Sequence, residues 1–166
     1  MLIAIDTRTA EPLDFKDGER MRAELDFPDT VRTERRDLPA GDYSLPGLEG
    51  TFAVKVFELE ELLGRLKFAR ADVDDELKRL RMQRYIFARV VVIGAAVDRM
   101  GEHCAGCADF DSCAHAAAAV AALEMQHRVP VVPVGSRQGA ARLIELWARY
   151  FVEEIRARGL VWQGEP

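Results

Sequence analysis

The chain has 166 residues, of which 49% are hydrophobic and 31% charged, which excludes a collagenous, low-complexity or wholly disordered polymer and suits one folded domain over residues 1–166. A net charge of -5 makes the chain no polycation, so any nucleic-acid binding must come from local patches. Its longest apolar runs, such as Val90 to Val97, fall short of the ~18 residues of a membrane helix, and Asp6 sits where a leader peptide would be apolar, so a soluble cytoplasmic protein is expected.

In chain order, Leu2 to Ile5 reads as a buried strand ending in Asp6. A second strand is expected over Val31 to Arg36, stopped by Pro39 and the Gly41-Asp42 turn signal. Pro46, Gly47 and Gly50 mark a loop before a third strand, Thr51 to Phe57. Three short strands with tight links predict an antiparallel meander. Leu59, Leu62, Leu63, Leu66, Val73, Leu77 and Leu80 then recur at helical spacing, predicting one amphipathic helix with a break near Asp72. Arg89 to Ile93 is a β-branched run suited to a parallel sheet. Ala116 to Gln126 is helical by propensity, and Val129 to Val134 is another buried strand. A last helix takes Ser136 as N-cap and ends at Gly159. The class is α/β: a mixed central sheet, first an antiparallel meander and then parallel strands, flanked by helices.

The three cysteines lie together in HCAGCADFDSCAH, His103 to His115. Clustered, odd-numbered thiols suggest a metal before a disulfide, and C-x2-C presents two sulfurs to one ion. Zinc held by Cys104, Cys107, Cys113 and His115 is one reading. An iron-sulfur cluster is a second, and free thiols in a surface loop a third. The segment reads as a Cys-rich insertion at about 98–115. Basic residues are lopsided, with Lys only at Lys16, Lys55, Lys67 and Lys78, which coding bias explains without function.

The first half carries an ordered set of motifs: IDTR (Ile5 to Arg8), RRDLPAGDYSL (Arg35 to Leu45), then a strand and a helix opening ELEELLGRL (Glu58 to Leu66). This resembles the nuclease domain of the XPF family of structure-specific DNA endonucleases, whose pattern is DxRE, LPxGDY and ERKxxxDLxxSL. The resemblance extends through RVVVIGA and Ala122 to Phe151. It implies a restriction-endonuclease-like fold, Mg-dependent phosphodiester hydrolysis, branched or fork-like DNA as substrate, work in DNA repair or recombination, and pairing with a second nuclease domain as homodimer or heterodimer.

On the family's pattern Asp6 and Arg8 match the first motif, Thr9 stands at its Glu, and Asp42 matches the GD aspartate. The ungapped alignment places Lys55, Val56 and Phe57 at the Glu, Arg and Lys of the central triplet, and Glu61 at its Asp; a two-residue slip would keep Lys55 as the triplet's Lys but put Ala53 at its Glu and the following helix out of register, so neither alignment recovers a full site. Strand alternation puts positions 55 and 57 on the face where Asp6 and Asp42 converge. An ammonium ~4 Å from Mg2+ costs on the order of several kcal/mol at an effective dielectric near 20. Asp6, Arg8 and Asp42 are therefore a remnant catalytic site, with Lys55 expected between the two aspartates as a built-in cation and Glu61 beside them. Glu58, Glu60 and Glu61 are alternative metal ligands, although acids in a first helical turn also complement the dipole. Three functions follow: a degenerate nuclease-fold protein binding DNA or a partner nuclease subunit, an active endonuclease using Asp6, Asp42 and a displaced carboxylate, or a zinc-stabilised interaction module that binds no DNA.

Overall fold

Five of the six strands point the same way, and that common direction places the cleft described below. The computed structural model describes residues 1–27, 30–82, 86–94 and 110–159, with only the backbone for Asp17, Arg20 and residues 110–116. The strands are β1 (Leu2–Asp6), β2 (Arg32–Arg36), β3 (Tyr43–Ser44), β4 (Phe52–Glu58), β5 (Phe87–Ile93) and β6 (Val131–Val134). They form one sheet in the order β2-β1-β3-β4-β5-β6. β3 is antiparallel to both β1 and β4, while β2, β5 and β6 run parallel to their neighbours. The carboxyl ends of five strands and the amino end of β3 therefore share one edge of the sheet.

The α/β class and mixed sheet agree with the sequence reading, but the meander has a different membership. It consists of β1, β3 and β4, and the strand at 32–36 lies outside it as a parallel edge. The connection from β1 to β2 explains why. It contains a 3-10 turn (Lys16–Gly18) and α1 (Glu19–Glu24), so it is long enough for the crossover that parallel pairing needs. The two-residue β3 is too short to leave a periodicity in the sequence.

The remaining helices are α2 (Leu59–Phe68), α3 (Arg70–Met82), α4 (Phe110–His127) and α5 (Arg137–Ala157). The single helix expected from Leu59 to Leu80 is two, broken at Ala69 (φ -143°, ψ 40°) rather than near Asp72. Ser136 caps α5 as expected, its side chain accepting from Gly139 N at 3.0 Å. Among the described residues no helix is long and apolar enough to cross a membrane.

Alternation along the strands divides the core in two. Ile3, Ile5, Phe52, Val54, Val91 and Ile93 pack under α5, whose Ala140, Ile144, Ala148 and Phe151 face them. Ala53, Phe57, Val90 and Val92 face the opposite layer, meeting Leu62 of α2, Val73, Leu77 and Leu80 of α3, and Leu123 of α4. Each fully buried leucine contributes about 1.5–3 kcal/mol relative to exposure. By the same alternation Asp6 and Lys55 lie on the face covered by α2 and α3.

Candidate active-site cleft

A cleft of about 600 Å³ opens at the edge where those strand ends meet, lined by residues that include Asp6, Arg8, Asp42, Lys55, Glu61 and Glu76. Asp6 ends β1, and its backbone N–H donates to Asp42 O at 2.9 Å. Asp42 stands just before β3, held by its own N–H to Val54 O at 2.8 Å. Gly41 makes that approach possible. Its φ is +81°, and a Cβ there would lie 3.0 Å from Val54 O, so a turn closing tightly against β4 requires glycine.

Asp6 is 1% exposed, and its carboxylate is fully engaged. Its Oδ1 accepts from Arg8 N at 2.7 Å and Arg8 Nε at 2.8 Å. Its Oδ2 accepts from Arg8 Nη2 at 2.7 Å and Leu38 N at 3.1 Å. Burial alone would raise its pKa, but the hydrogen bonds from Arg8 and the Leu38 amide outweigh burial and hold it below the ordinary value. Arg8 also donates from Nη2 to Leu38 O at 2.8 Å, while its Nη1 has no hydrogen-bond partner among the described residues. Asp6 and Arg8 thus form a closed bidentate pair.

Asp42 is engaged as well. Oδ1 accepts from Lys55 Nζ at 3.0 Å and Thr9 Oγ1 at 3.3 Å, and Oδ2 accepts from Val56 N at 2.7 Å. Lys55 therefore reaches one of the two aspartates. Its second partner is Glu76 of α3, with Oε2 3.2 Å from Nζ, and not Asp6, because Arg8 has already curled back onto Asp6. Burial pulls the Lys55 pKa down, yet Asp42 and Glu76 more than offset it and raise it above the ordinary value. Glu76 Oε1 accepts from Arg65 Nη2 at 2.7 Å. Burial would raise the Glu76 pKa, but Arg65 and Lys55 hold it low. Glu76 Oε2 has no well-aligned hydrogen bond, so its contact with Lys55 is an ion pair of poor geometry.

Glu61 lies at the rim, its carboxylate 3.6 Å from Arg65 and 57% exposed, so it stands with Arg65 rather than with Asp42. Glu58 pairs with Arg137. Tyr43 closes the floor, accepting from Leu13 N at 2.7 Å, with its phenol pushed up to about 12 by burial. Sequence reasoning missed Glu76, Arg65 and Arg137. Glu76 left a signal: it lies three residues after Val73 and four before Leu80, within the inward stripe of α3, where a charge needs a partner.

A divalent cation such as Mg2+ needs several oxygens free to face it. Here four donors occupy Asp6 and three occupy Asp42, one of them an ammonium, so the donor set as folded does not fit such an ion. Among the described residues no three His, Cys, Asp or Glu side chains gather in a way that could hold a metal. Cys104 and Cys107 lie outside the described residues, and Cys113 and His115 belong to α4 with their side chains outside the description.

Comparison with solved structures places this architecture. XPF from Aeropyrum pernix matches with a TM-score of 0.60 at 18% sequence identity, over 95% of this chain and 68% of that one. XPF from Aeropyrum pernix in complex with DNA matches with a TM-score of 0.57 at 21% identity, over 92% of this chain and 66% of that one. The fold is XPF-like. The chain spans about two thirds of these XPF chains. No protein-family model and no curated protein matches the sequence. The XPF-like fold accounts for the mixed sheet with its cleft at one edge. What the cleft does depends on its own side chains.

Proposed function

We propose that this chain is an XPF-type nuclease-fold protein that is catalytically degenerate, binding branched DNA, a partner nuclease subunit, or both, in DNA repair or recombination. The carrying observation is the Lys55 ammonium on Asp42 at 3.0 Å, at the position where the family resemblance calls for a metal-binding glutamate. With Val56 and Phe57 completing the triplet, none of its three positions carries the residue that the family resemblance calls for. DNA binding is supported by the likeness to an XPF chain solved in complex with DNA. Arg8, whose side chain is 64% exposed, and the exposed Arg79, both lining the cleft, are the groups assigned to phosphate contact.

A partner subunit would dock through helices. The edge strand β2 carries Arg32, Glu34, Arg35 and Arg36, charges that discourage strand addition. Cys104, Cys107, Cys113 and His115 are assigned to a structural zinc site, since four protein ligands leave no position for a reacting water.

The test is fluorescence anisotropy with fork, flap and splayed-arm DNA, together with incubation of the same substrates with Mg2+ or Mn2+. Branched DNA should bind more tightly than linear duplex, more weakly as salt rises, and with a smaller salt slope in Arg79→Ala. No cleavage is expected. Cleavage abolished by Asp42→Ala would replace this reading with an active endonuclease, and equal failure to bind all DNA would leave the interaction module.

A further inference from the structure

The Lys55 ammonium is enclosed on three sides. Asp42 Oδ1 lies 3.0 Å from Nζ, Glu76 Oε2 lies 3.2 Å from it, and the ring of Phe57 is 5.0 Å away. Two carboxylates from different elements, β3's approach and α3, converge on one point, and an aromatic face completes the enclosure. Arg65 balances the second carboxylate through Glu76 Oε1 at 2.7 Å and lies 5.5 Å from the same ring. Two converging carboxylates with a poorly satisfied oxygen are the protein half of a divalent-cation site, because Mg2+ and Mn2+ bind through one or two carboxylates and keep several waters.

We propose that Asp42 and Glu76 form a cation seat occupied by the chain's own Lys55 ammonium, and that the seat accepts a divalent metal ion only when that ammonium is removed. Three features support it. The ammonium occupies the space a metal would need, bonded to the same oxygen of Asp42. It cannot leave cheaply, since the side chain is mostly enclosed and withdrawal would take the ammonium from Asp42 and leave Glu76 with Arg65 alone. The seat uses Glu76 from α3 and does not involve Asp6, whose oxygens are taken by Arg8 and Leu38. The proposal rests on the reading of a degenerate cleft and explains how the degeneracy is maintained: the chain carries its cation covalently, so the cleft holds its shape without dissolved metal.

The experiment is a Mn2+ titration followed by the paramagnetic resonance signal of the free ion, on the wild-type chain, Lys55→Gln, Lys55→Arg and the double variant Lys55→Gln/Asp42→Asn. Wild type and Lys55→Arg should bind no better than the double variant, while Lys55→Gln should gain about tenfold or more in affinity, as expected for removing a like charge at contact. Wild type binding as tightly as Lys55→Gln, or folded Lys55→Gln gaining nothing, overturns the seat. A second measurement needs no variant: the side-chain ammonium resonance of Lys55 should stay unmoved as Mg2+ is added to wild type, and its displacement overturns the proposal. Cleavage of DNA by wild type is a separate outcome, which bears on the proposed function and not on these titrations.

Discussion

Arg22 of α1 and Glu145 of α5 stand 123 residues apart in the chain and meet at 3.1 Å in the interior. Glu145 is 1% exposed. It also accepts from Arg149 Nε at 2.9 Å, and Arg149 in turn lies over the ring of Phe27 at 4.6 Å. Arg22 donates further to Phe15 O at 3.4 Å and Lys16 O at 3.2 Å, so one carboxylate ties the β1–β2 crossover to α5. Removing it would take away the buried carboxylate that both guanidinium groups share. Glu145→Ala should therefore lower stability by about 3–5 kcal/mol, read from urea unfolding midpoints. A loss below about 1 kcal/mol, the range of exposed pairs, would mean that water reaches the triad.

Gly41 makes a second, local prediction. At φ +81° with only 3.0 Å to Val54 O, any side chain meets both backbone strain and a contact with β4. Gly41→Val should cost about 1–3 kcal/mol, measured by denaturation. It should also disturb the Asp42–Lys55 pair, visible as a change in the Lys55 side-chain resonances. An unchanged pair with unchanged stability would show that the turn does not position Asp42.

Much of this was legible in the sequence, and what was not has physical causes. The strands at β4 and β5 and the α5 cap were readable because burial on both faces and an N-cap serine leave local signatures. The two residues of β3 leave none, since their strand character comes from pairing with residues far along the chain. The parallel placement of β2 was hidden for a related reason: alternation identifies a strand but not its neighbour. At the cleft, the family pattern located Asp6, Asp42 and Lys55. It put Lys55 between the two aspartates because it gave no weight to Arg8, whose short reach of two residues lets it claim both oxygens of Asp6 first. Glu76 was missed because α3 was read for its leucines, although a glutamate inside that stripe required a basic partner.

The cleft's acids set a pH dependence with a definite sign. Asp6 and Glu76 both have folded pKa values depressed below their ordinary values of 3.8 and 4.5. For such groups the unfolded chain takes up protons first as pH falls, so the stabilisation is complete above the unfolded pKa and is lost as pH drops through the folded one. Stability should be flat from neutral pH to about 5 and fall below about 4.5. Glu76→Gln should flatten that acid limb while lowering stability at neutral pH, both read from thermal melts across pH. A variant whose acid limb matches wild type would show that Glu76 is not held ionised by Arg65 and Lys55.

The cysteine segment gives a prediction that depends only on spacing. If Cys104, Cys107, Cys113 and His115 hold one zinc, protein purified without oxygen should carry the metal stoichiometrically and be colourless, since Zn2+ has a filled d shell. Cys107→Ser should lose zinc and lower the melting temperature. Iron with absorption in the visible would replace zinc with a cluster, and absence of both metals would mean free thiols.

The far edge of the sheet makes the last prediction. Val90 N donates to Pro130 O at 2.9 Å and Gly94 N to Val134 O at 2.8 Å, so residues 130 and 134 turn their carbonyls toward β5. In a parallel ladder the alternate residues, Val131 and Pro133, then direct their backbone groups to the open side. Both positions are closed. Val131 N donates to Glu124 Oε2 of α4 at 3.3 Å, and Pro133 has no N–H to offer. An incoming strand would find no free donor there, which is how natural sheets avoid growth at an edge. Restoring the donors should remove that protection: Glu124→Ala combined with Pro133→Val should self-associate in sedimentation velocity at concentrations where wild type does not. Each single change leaves one donor blocked and should have the smaller effect. If the double variant sediments as wild type does, then packing of the neighbouring helix, rather than the missing donors, protects this edge.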